Sequence, residues 1–216
     1  MERGRVITTG VKELDSLVPG YRQGTLNIIG GRPAAGKTSY ALETTAMIAI
    51  NKNVPVLYVS LAEGADKTKK RMYELCPGAE SELDKASIIF EDGCNRLDDI
   101  VKRAKELIKE KNIGVVVVDY LQLVKTEDEK LSEQHSIREL RRLADENNVV
   151  IVLLSQLNLD FEKRSDHRLY LTDFDNYECM MMNSEKIFMI QNENGKKTYY
   201  LHSYKSEDIS GMSIRE

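Results

Sequence analysis

A phosphate-binding loop is predicted by the spacing of Gly31-Arg32-Pro33-Ala34-Ala35-Gly36-Lys37-Thr38. In such a loop the backbone N–H groups wrap the phosphates, and Lys37 reaches the β- and γ-phosphates. The hydroxyl of Thr38 is placed on Mg²⁺, and the following helix presents its positive N-terminal end. These residues and the adjacent Ser39 therefore predict a site for ATP and Mg²⁺, the alternative being a Gly-rich turn that binds no ligand.

The segments that flank this loop have the pattern that the motif requires. Thr25–Ile29 is a short apolar run typical of a buried strand. Thr38–Ile50 has Leu42, Ala46 and Ala49 at helical spacing, which predicts a helix directly after the loop.

A metal-binding carboxylate is predicted at Asp119. Four consecutive valines, Val115–Val118, favour a buried parallel strand, and Asp119 follows where such a strand meets the ligand crevice. A turn cap is the alternative role of Asp119. The predicted metal ligands are thus Thr38 and Asp119.

Apolar runs alternate with amphipathic segments along the first two thirds of the chain, which predicts an α/β fold with a mainly parallel, twisted sheet and helices on both faces. The predicted strands are Thr25–Ile29, Val54–Ser60, Ser87–Phe90, Val115–Val118 and Val149–Leu154; the predicted helices are Gly10–Leu17, Thr38–Ile50, Asp66–Leu75, Asp98–Glu110 and Glu133–Glu146.

The pattern changes after Ser155. A polar stretch from Asn158 to about Asn176 is either a functional loop or disorder. Two strands, Lys186–Ile190 and Thr198–Tyr204 with Gly195 in the turn between them, are predicted to form a short antiparallel edge of the sheet.

Composition limits the classes of protein that are possible. A length of 216 residues without a Pro/Gly/Ser-rich linker predicts one domain over residues 1–216. The longest apolar run is too short for a membrane span, and the N-terminus has no signal-peptide pattern. The three cysteines are widely spaced, which predicts reduced thiols in a cytoplasmic protein. The net charge of −4 argues against general affinity for nucleic acid but leaves room for a local basic patch.

Two further motifs resemble those of the C-terminal ATPase domain of DnaB-type replicative DNA helicases, within the RecA-like family of P-loop NTPases. They are Val117-Val118-Asp119-Tyr120-Leu121-Gln122-Leu123 and Leu154-Ser155-Gln156-Leu157-Asn158. Similarity also covers Thr9-Gly10-Val11 with Leu14-Asp15, Arg32-Pro33, and Ile137-Arg138 with Leu143-Ala144. It extends over nearly the whole chain. The resemblance implies a RecA-like core that hydrolyses ATP with Mg²⁺ and translocates on single-stranded DNA during replication, as part of a homo-oligomeric, hexameric ring.

The resemblance also implies roles for matched residues. Lys37 and Thr38 would bind the phosphates and Mg²⁺, and Asp119 would hold the metal through water. Gln156 would sense the γ-phosphate, and its loss of that contact on hydrolysis would release Leu157–Arg168. The alternative for Gln156 is a buried amide that satisfies backbone groups.

Three features depart from the family pattern, one of them being the altered polar positions Tyr177, Glu178 and Met180–Met182 in the segment Asp173–Ile190. The family has S-L-E after the second strand, whereas this chain has Ser60-Leu61-Ala62-Glu63, so Glu63 is the candidate for orienting the attacking water. The family's K-x-R spacing near the C-terminus corresponds to Lys205-Ser206-Glu207, which keeps the Lys that acts on a neighbouring subunit but has Glu in place of Arg. Lys205 is otherwise a solvated strand residue. Ala62 and Glu207 favour an alternative function, a nucleotide-binding switch with little or no hydrolysis.

Single-stranded DNA contacts are predicted in regions that face the ring channel in DnaB-type proteins, where Lys and Arg neutralise phosphates without reading bases. The candidates are Arg138, Arg141, Lys163, Arg164 and Arg168. Because Asp160, Glu162 and Asp166 interrupt the loop, a merely solvated loop is the alternative. A second basic cluster, Lys67, Lys69, Lys70 and Arg71, is interpreted as a solvated helix face.

A third functional alternative is a RecA/KaiC-like ATPase in recombination or signalling, which the Leu154–Asn158 motif disfavours. The chain begins about 30 residues before the phosphate loop, without the N-terminal domain that holds DnaB-type rings together, so weak self-association is expected. The run Met180–Met182 is either core or a subunit contact, and core is favoured.

Overall fold

The computed structural model describes residues 4–10, 15, 20–127, 132–158, 164, 168–193, 196–203 and 210–215, with the backbone alone at 193, 196–197, 202–203 and 210–215. The predicted helix Gly10–Leu17 and the predicted turn at Gly195 therefore lie largely outside the described residues.

An eight-stranded mixed sheet forms the centre of the molecule. Its strands, in chain order, are β3 Thr25–Gly31, β4 Val56–Ser60, β5 Ile88–Glu91, β6 Val115–Asp119, β7 Val150–Gln156, β8 Ser184–Glu193, β9 Lys196–Ser203 and β10 Ser210–Arg215. They lie side by side in the order β10-β9-β8-β3-β7-β6-β4-β5. In this order, each strand from β8 through β3, β7, β6 and β4 to β5 is parallel to the next. Beyond β8, strands β9 and β10 extend the sheet with antiparallel pairing.

Helices cover both faces of this sheet. One face carries α1 Lys37–Lys52, α2 Ala65–Leu75 and α3 Glu80–Lys85; the other carries α4 Leu97–Lys111, α5 Ser132–Asn147 and α6 Tyr177–Asn183. Among the described residues, the short 3₁₀ helix Leu121–Leu123 follows β6 closely, and the 3₁₀ helix Leu171–Asp173 follows β7 at a greater distance along the chain.

The valines of β6 show why the sequence adopts this arrangement. Val116 and Val118 pack into the core under α4 and α5, whereas Val115 and Val117 pack under α1 and α2. Successive side chains of a strand point to opposite faces, so a strand covered on both sides needs an unbroken apolar run. Because these strands are parallel, their carboxyl ends lie together on one side of the sheet, where the phosphate loop begins.

The predicted fold class and the antiparallel C-terminal edge are confirmed. The sequence patterns missed α3 and α6, the edge strand β10, and the two-stranded ribbon of β1 Val6–Ile7 and β2 Tyr21–Arg22. The interpretation of the methionine run as core was wrong for Met182, which is 81% exposed, although Met180 is buried. Within the described part of the chain, no helix is both long enough and apolar enough to cross a bilayer.

Candidate nucleotide-binding site

The phosphate loop connects the end of β3 to the start of α1. Ala34 and Gly36 both have positive φ angles, 62° and 98°. Such alternation turns successive N–H groups toward one concave side, which is the geometry of an anion-binding nest. Gly31 is required by close packing, because a Cβ there would lie 2.7 Å from the carbonyl oxygen of Ile190 on β8. The predicted loop, Gly31–Thr38, thus has a backbone suited to phosphate.

Lys37 lies at the base of this loop and is 8% exposed. Its Nζ donates to the carbonyl oxygens of Gly31 at 2.8 Å and Arg32 at 2.9 Å. Burial lowers the pKa of this ammonium to about 8, and the nearby charge of Asp119 opposes that effect. A buried cation held by carbonyls that belong to the loop is placed to meet phosphate oxygens.

Asp119 ends β6 and is 4% exposed. Its carboxylate accepts a hydrogen bond from the hydroxyl of Tyr58 at 2.8 Å and another from Thr38. Burial raises the pKa of Asp119, while these two hydrogen bonds and the charge of Lys37 lower it. The structure therefore brings Lys37, Thr38 and Asp119 together, as predicted for a Mg²⁺–nucleotide site.

The donor set suits Mg²⁺ rather than a metal caged entirely by protein. Among the described residues there is no group of three or more His, Cys, Asp or Glu side chains that could hold an ion. One carboxylate and one hydroxyl, completed by phosphate oxygens and water, is the way in which Mg²⁺ is usually bound.

Glu63 is linked to Ser39, in the first turn of α1, by an arginine that contacts both residues. The guanidinium of Arg71 on α2 donates to Glu63 Oε1 at 2.7 Å and to Ser39 Oγ at 3.0 Å. The charge of Glu63 also contributes to the raised pKa of Asp119. Both Ala62 and Glu63 are exposed.

The interpretation of the basic cluster on α2 as a solvated face was therefore wrong for Arg71. Lys67, Lys69 and Lys70 are exposed, as expected, but Arg71 is half-buried. The helix buries Thr68 and Met72, and Arg71 lies at the border of that face, where it reaches back over the turn to Glu63.

Gln156 is the last residue of β7 and pairs in register with Gly31, the first residue of the phosphate loop. The N–H of Leu157 donates to the carbonyl of Gly31 at 3.3 Å. The predicted sensor thus lies directly beside the phosphate loop, at the point where the chain leaves the sheet.

The segment that follows Gln156 is anchored at a buried carboxylate. Asp173 is 2% exposed and accepts two hydrogen bonds from Arg164, one at each oxygen and both at 2.7 Å. The N–H of Asn158 donates to the carbonyl of the same Asp173 at 2.8 Å. Arg164 also lies over the ring of Tyr170, 4.8 Å from its centroid. Asn158 and Arg164 are therefore both bonded to Asp173.

The other predicted DNA contacts differ in their surroundings. Arg138 and Arg168 are exposed. Arg141 donates to the carbonyl of Gly24 at 2.6 Å. Gly24 precedes β3, so this contact lies at the amino end of that strand, whereas the phosphate loop lies at its carboxyl end. Lys163, Lys205 and Glu207 lie outside the described residues.

Three side chains at this edge were missed by sequence reasoning: Tyr58, Arg71 and Gln122. A signal existed for Tyr58, because a tyrosine inside an otherwise apolar buried strand needs a partner for its hydroxyl. No signal existed for Arg71, whose partner lies eight residues earlier across a turn. Gln122 belongs to the Val117–Leu123 motif, but the spacing of that motif does not reveal which groups the amide contacts.

The comparison with family models agrees with this geometry. The model described as the DnaB-like helicase C terminal domain matches residues 6–78 and 74–210. The chain belongs to this family. The DnaB-like resemblance inferred from the Asp119 and Gln156 motifs is thus confirmed.

Individual relatives extend this result. The replicative DNA helicase DnaB of Geobacillus stearothermophilus is 31% identical over 77% of this chain, which covers 43% of that helicase. The chain therefore spans less than half of the length of this DnaB relative.

Solved structures support the fold. The structure of a DnaB-like replicative helicase, described together with its interactions with primase, has a TM-score of 0.83 at 22% identity, covering 98% of this chain and 59% of that one. A KaiC-like protein from Pyrococcus horikoshii OT3 has a TM-score of 0.74 at 18% identity, covering 98% of this chain and 93% of that one. The RecA-like architecture is shared by both, so the fold by itself does not separate the DnaB-like branch from the KaiC-like branch.

Proposed function

We propose that this chain is the ATP-hydrolysing motor of a DnaB-like helicase, which translocates on single-stranded DNA. The observation that carries the proposal is the convergence of Lys37, Thr38 and Asp119 beside a phosphate-binding nest, with Gln156 in register with Gly31. Membership of the DnaB-like family supports the assignment of that site to a helicase motor.

ATP would bind with its phosphates in the nest formed by Arg32–Gly36. Lys37 would exchange its bonds to the loop carbonyls for phosphate oxygens, which a flexible ammonium with three donors can do. Thr38 and Asp119 would hold Mg²⁺, which neutralises charge on the phosphates. The buried position of Asp119 keeps bulk water from competing for this carboxylate.

Hydrolysis would be assisted by Glu63. Its carboxylate can accept a proton from the attacking water and so orient that water toward the γ-phosphate. Arg71 would hold Glu63 in place, since the guanidinium is fixed at its other end by Ser39. The ion pair would thereby compensate for the one-residue displacement of Glu63 relative to the family's S-L-E.

Transmission to DNA would start at Gln156. A change in the γ-phosphate contact of Gln156 would move Leu157 and Asn158, and through Asn158 the anchor at Asp173. Arg138 and Arg168, which are exposed, are the better candidates for DNA phosphates. Arg141 and Arg164 are only partly exposed, and Lys163 and Lys205 keep their predicted roles as proposals.

Steady-state ATP hydrolysis with and without single-stranded DNA tests the proposal. We expect Mg²⁺-dependent turnover that rises with DNA and whose stimulation weakens with salt, because phosphate contacts are electrostatic. Lys37→Ala is the blank and should lose turnover. Equal turnover in Lys37→Ala would remove the phosphate-loop assignment.

Nucleotide binding without turnover, with or without DNA, would favour the switch that Ala62 and Glu207 suggest. A homo-oligomeric ring is also proposed, and sedimentation velocity with and without ATP measures the association of the chain.

A further inference from the structure

The ladder between β6 and β7 stops before β7 ends. The two strands pair from Val115 opposite Val150 to Val118 opposite Leu153. Strand β7 continues for three more residues to Gln156, whereas the chain of β6 turns after Asp119 into the 3₁₀ helix Leu121–Leu123. The end of β7 therefore extends past its backbone partner on this side.

A side chain continues the ladder where the backbone leaves it. Gln122 Oε1 accepts the backbone N–H of Gln156 at 3.0 Å, and Gln122 Nε2 donates to the hydroxyl of Ser155 at 3.1 Å. The next N–H, that of Leu157, points the other way to Gly31 on β3. Gln122 thus supplies the contact that a further residue of β6 would have supplied.

The chemistry of this contact is specific to an amide. An amide both accepts and donates, whereas an ionised carboxylate only accepts and an apolar side chain does neither. Ser155 is fully buried, so its hydroxyl depends on partners inside the protein. Both ends of Gln122 are used, and both are used on the last two residues of β7.

The location of this contact connects two parts of the candidate site. Gln122 stands three residues after Asp119, and the intervening turn is fixed because the N–H of Leu123 donates to the carbonyl of Tyr120 at 3.1 Å. The other end of the contact is the backbone of Gln156. The metal carboxylate and the proposed sensor are therefore joined by one amide.

We propose that Gln122 is a positioning residue that fixes the sensor Gln156 relative to the metal carboxylate Asp119. The proposal rests on the function proposed above, since it concerns the same site. With the amide present, Gln156 keeps one position relative to the bound phosphates, and the nucleotide state is passed to the loop after it. Without the amide, the end of β7 moves independently of Asp119, and the discrimination between ATP and ADP falls.

Gln122→Met tests this, because methionine has nearly the same length and shape but forms neither hydrogen bond. Gln134→Met on α5 is the matched control: Gln134 also uses its Nε2 amide, donating to Asn176 at 3.1 Å, and α5 packs on the opposite face of the sheet from α1. The measurements are the Kd values for ADP and for a non-hydrolysable ATP analogue, and hydrogen exchange of the 154–158 segment with each nucleotide.

We expect Gln122→Met to bind ADP within about twofold of the parent, which also shows that the fold is intact. Its preference for the analogue over ADP should fall about two- to tenfold, the range of one neutral hydrogen bond. The difference in exchange between the two nucleotides should shrink in the same variant. Gln134→Met should behave as the parent.

Ser155→Ala provides a milder second variant, because it removes the partner of Nε2 and leaves the bond to Gln156. Its preference for the analogue should lie between those of the parent and Gln122→Met. A larger effect of Ser155→Ala than of Gln122→Met would overturn the proposal, since the hydroxyl rather than the amide would then control the sensor.

The outcomes separate this proposal from the function on which it rests. If the parent and Gln122→Met discriminate equally between the two nucleotides, the role of Gln122 is refuted and the motor assignment stands. If the parent itself does not discriminate, the sensor role of Gln156 is refuted and that of Gln122 with it.

Discussion

The ends of β6 and β4 each present a carboxylate to the candidate site, but in opposite environments. Asp119 at the end of β6 is buried and is bonded by Tyr58 and Thr38. Glu63, after the end of β4, is exposed, and Arg71 holds it by a surface ion pair. These two strands are neighbours, with Ser60 opposite Asp119. One carboxylate is thus fixed by the core and the other by a single cation.

This difference has a physical consequence for stability. Burial disfavours the ionised form of Asp119, whereas an exposed carboxylate is hydrated in the folded and unfolded chain alike. Burial of the proposed metal ligand Asp119 therefore costs stability, whereas the exposed position of the proposed base Glu63 costs almost none. Substitutions at the two positions should have similar effects on turnover and different effects on unfolding.

The largest expected effect is that of Glu63→Gln on turnover. Loss of a general base lowers kcat by about 10²–10⁴-fold. Binding of ATP should be unchanged, and the free energy of unfolding should change by less than about 0.5 kcal/mol, as for most exposed positions. Single-turnover hydrolysis, nucleotide titration and thermal melting measure the three quantities. Hydrolysis at the parent rate would show that Glu63 is not the base.

Asp119→Asn should lower kcat by at least about a hundredfold, since it weakens electrostatic stabilisation of the reacting phosphates. The same substitution should increase the stability of the fold. Because burial raises the pKa of Asp119, the stability that this group contributes is complete below its unfolded pKa and is lost as the pH rises through its folded pKa. Because pH 7 lies well above the ordinary pKa of an Asp side chain, at least part of this stability is lost there, and a neutral amide avoids that loss.

The Tm of Asp119→Asn at pH 7 is therefore expected to lie above that of the parent. The difference should disappear at acidic pH, where the parent carboxyl is protonated. A lower Tm at pH 7 would contradict the view that the core bears the cost of this charge.

Arg71→Met should lower kcat about tenfold through misplacement of Glu63, with little change in the KM for ATP. Lys70→Met is the matched control, because Lys70 is exposed on the same helix and pairs with the surface residue Glu74, at 3.8 Å. In the Glu63→Gln background the Arg71 substitution should have no further effect. An equal loss in that background would mean that Arg71 acts on something other than Glu63.

The smallest expected effect concerns pH. Burial lowers the pKa of Lys37 to about 8, so the ammonium of the free protein is lost as the pH rises through that value. The ratio kcat/KM should decline above pH 8 by up to about tenfold per unit, while kcat stays level to higher pH because bound phosphates favour the charged form.

Lys186→Met is the control for the alkaline limb of the pH profile, in which kcat/KM declines above pH 8. Burial also lowers the pKa of Lys186 to about 8, but Lys186 lies on β8 and donates to the carbonyl of Gly20. The pH profile should keep its alkaline limb in this variant. Loss of the limb would assign it to Lys186 rather than to Lys37.

Both carboxylates of this comparison could be predicted from the sequence, but the ion pair that holds the exposed one could not. Val115–Asp119 encodes a strand and its terminal carboxylate in consecutive residues, and the phosphate loop is likewise contiguous. The contact between Glu63 and Arg71, by contrast, depends on the turn before α2 and on how α2 is rotated about its axis. Only Thr68 and Met72 are buried in α2, and so short an apolar pattern does not determine that rotation. The same holds for Gln122, whose partners follow from where β6 leaves the ladder.

Short elements were missed for a related reason. Helix α3 has one buried residue, Leu83, so no repeat exists from which to predict it. In β10 only Met212 and Ile214 alternate with polar residues, which is too few to distinguish a strand from a loop. The Thr9–Asp15 motif was identified by resemblance, and the structure gives its physical basis: the Asp15 carboxylate accepts from both Thr9 and Gly10.

The position of β3 in the sheet has a consequence for how the protein matures on the ribosome. The strand that leads into the phosphate loop occupies residues 25–31, yet its two neighbours are β7 and β8, from residues 150–156 and 184–190. Contacts so distant in sequence form slowly, and they cannot form before their partners have been synthesised. The candidate nucleotide site, although its loop lies in the first forty residues, should thus be among the last parts to become native during translation.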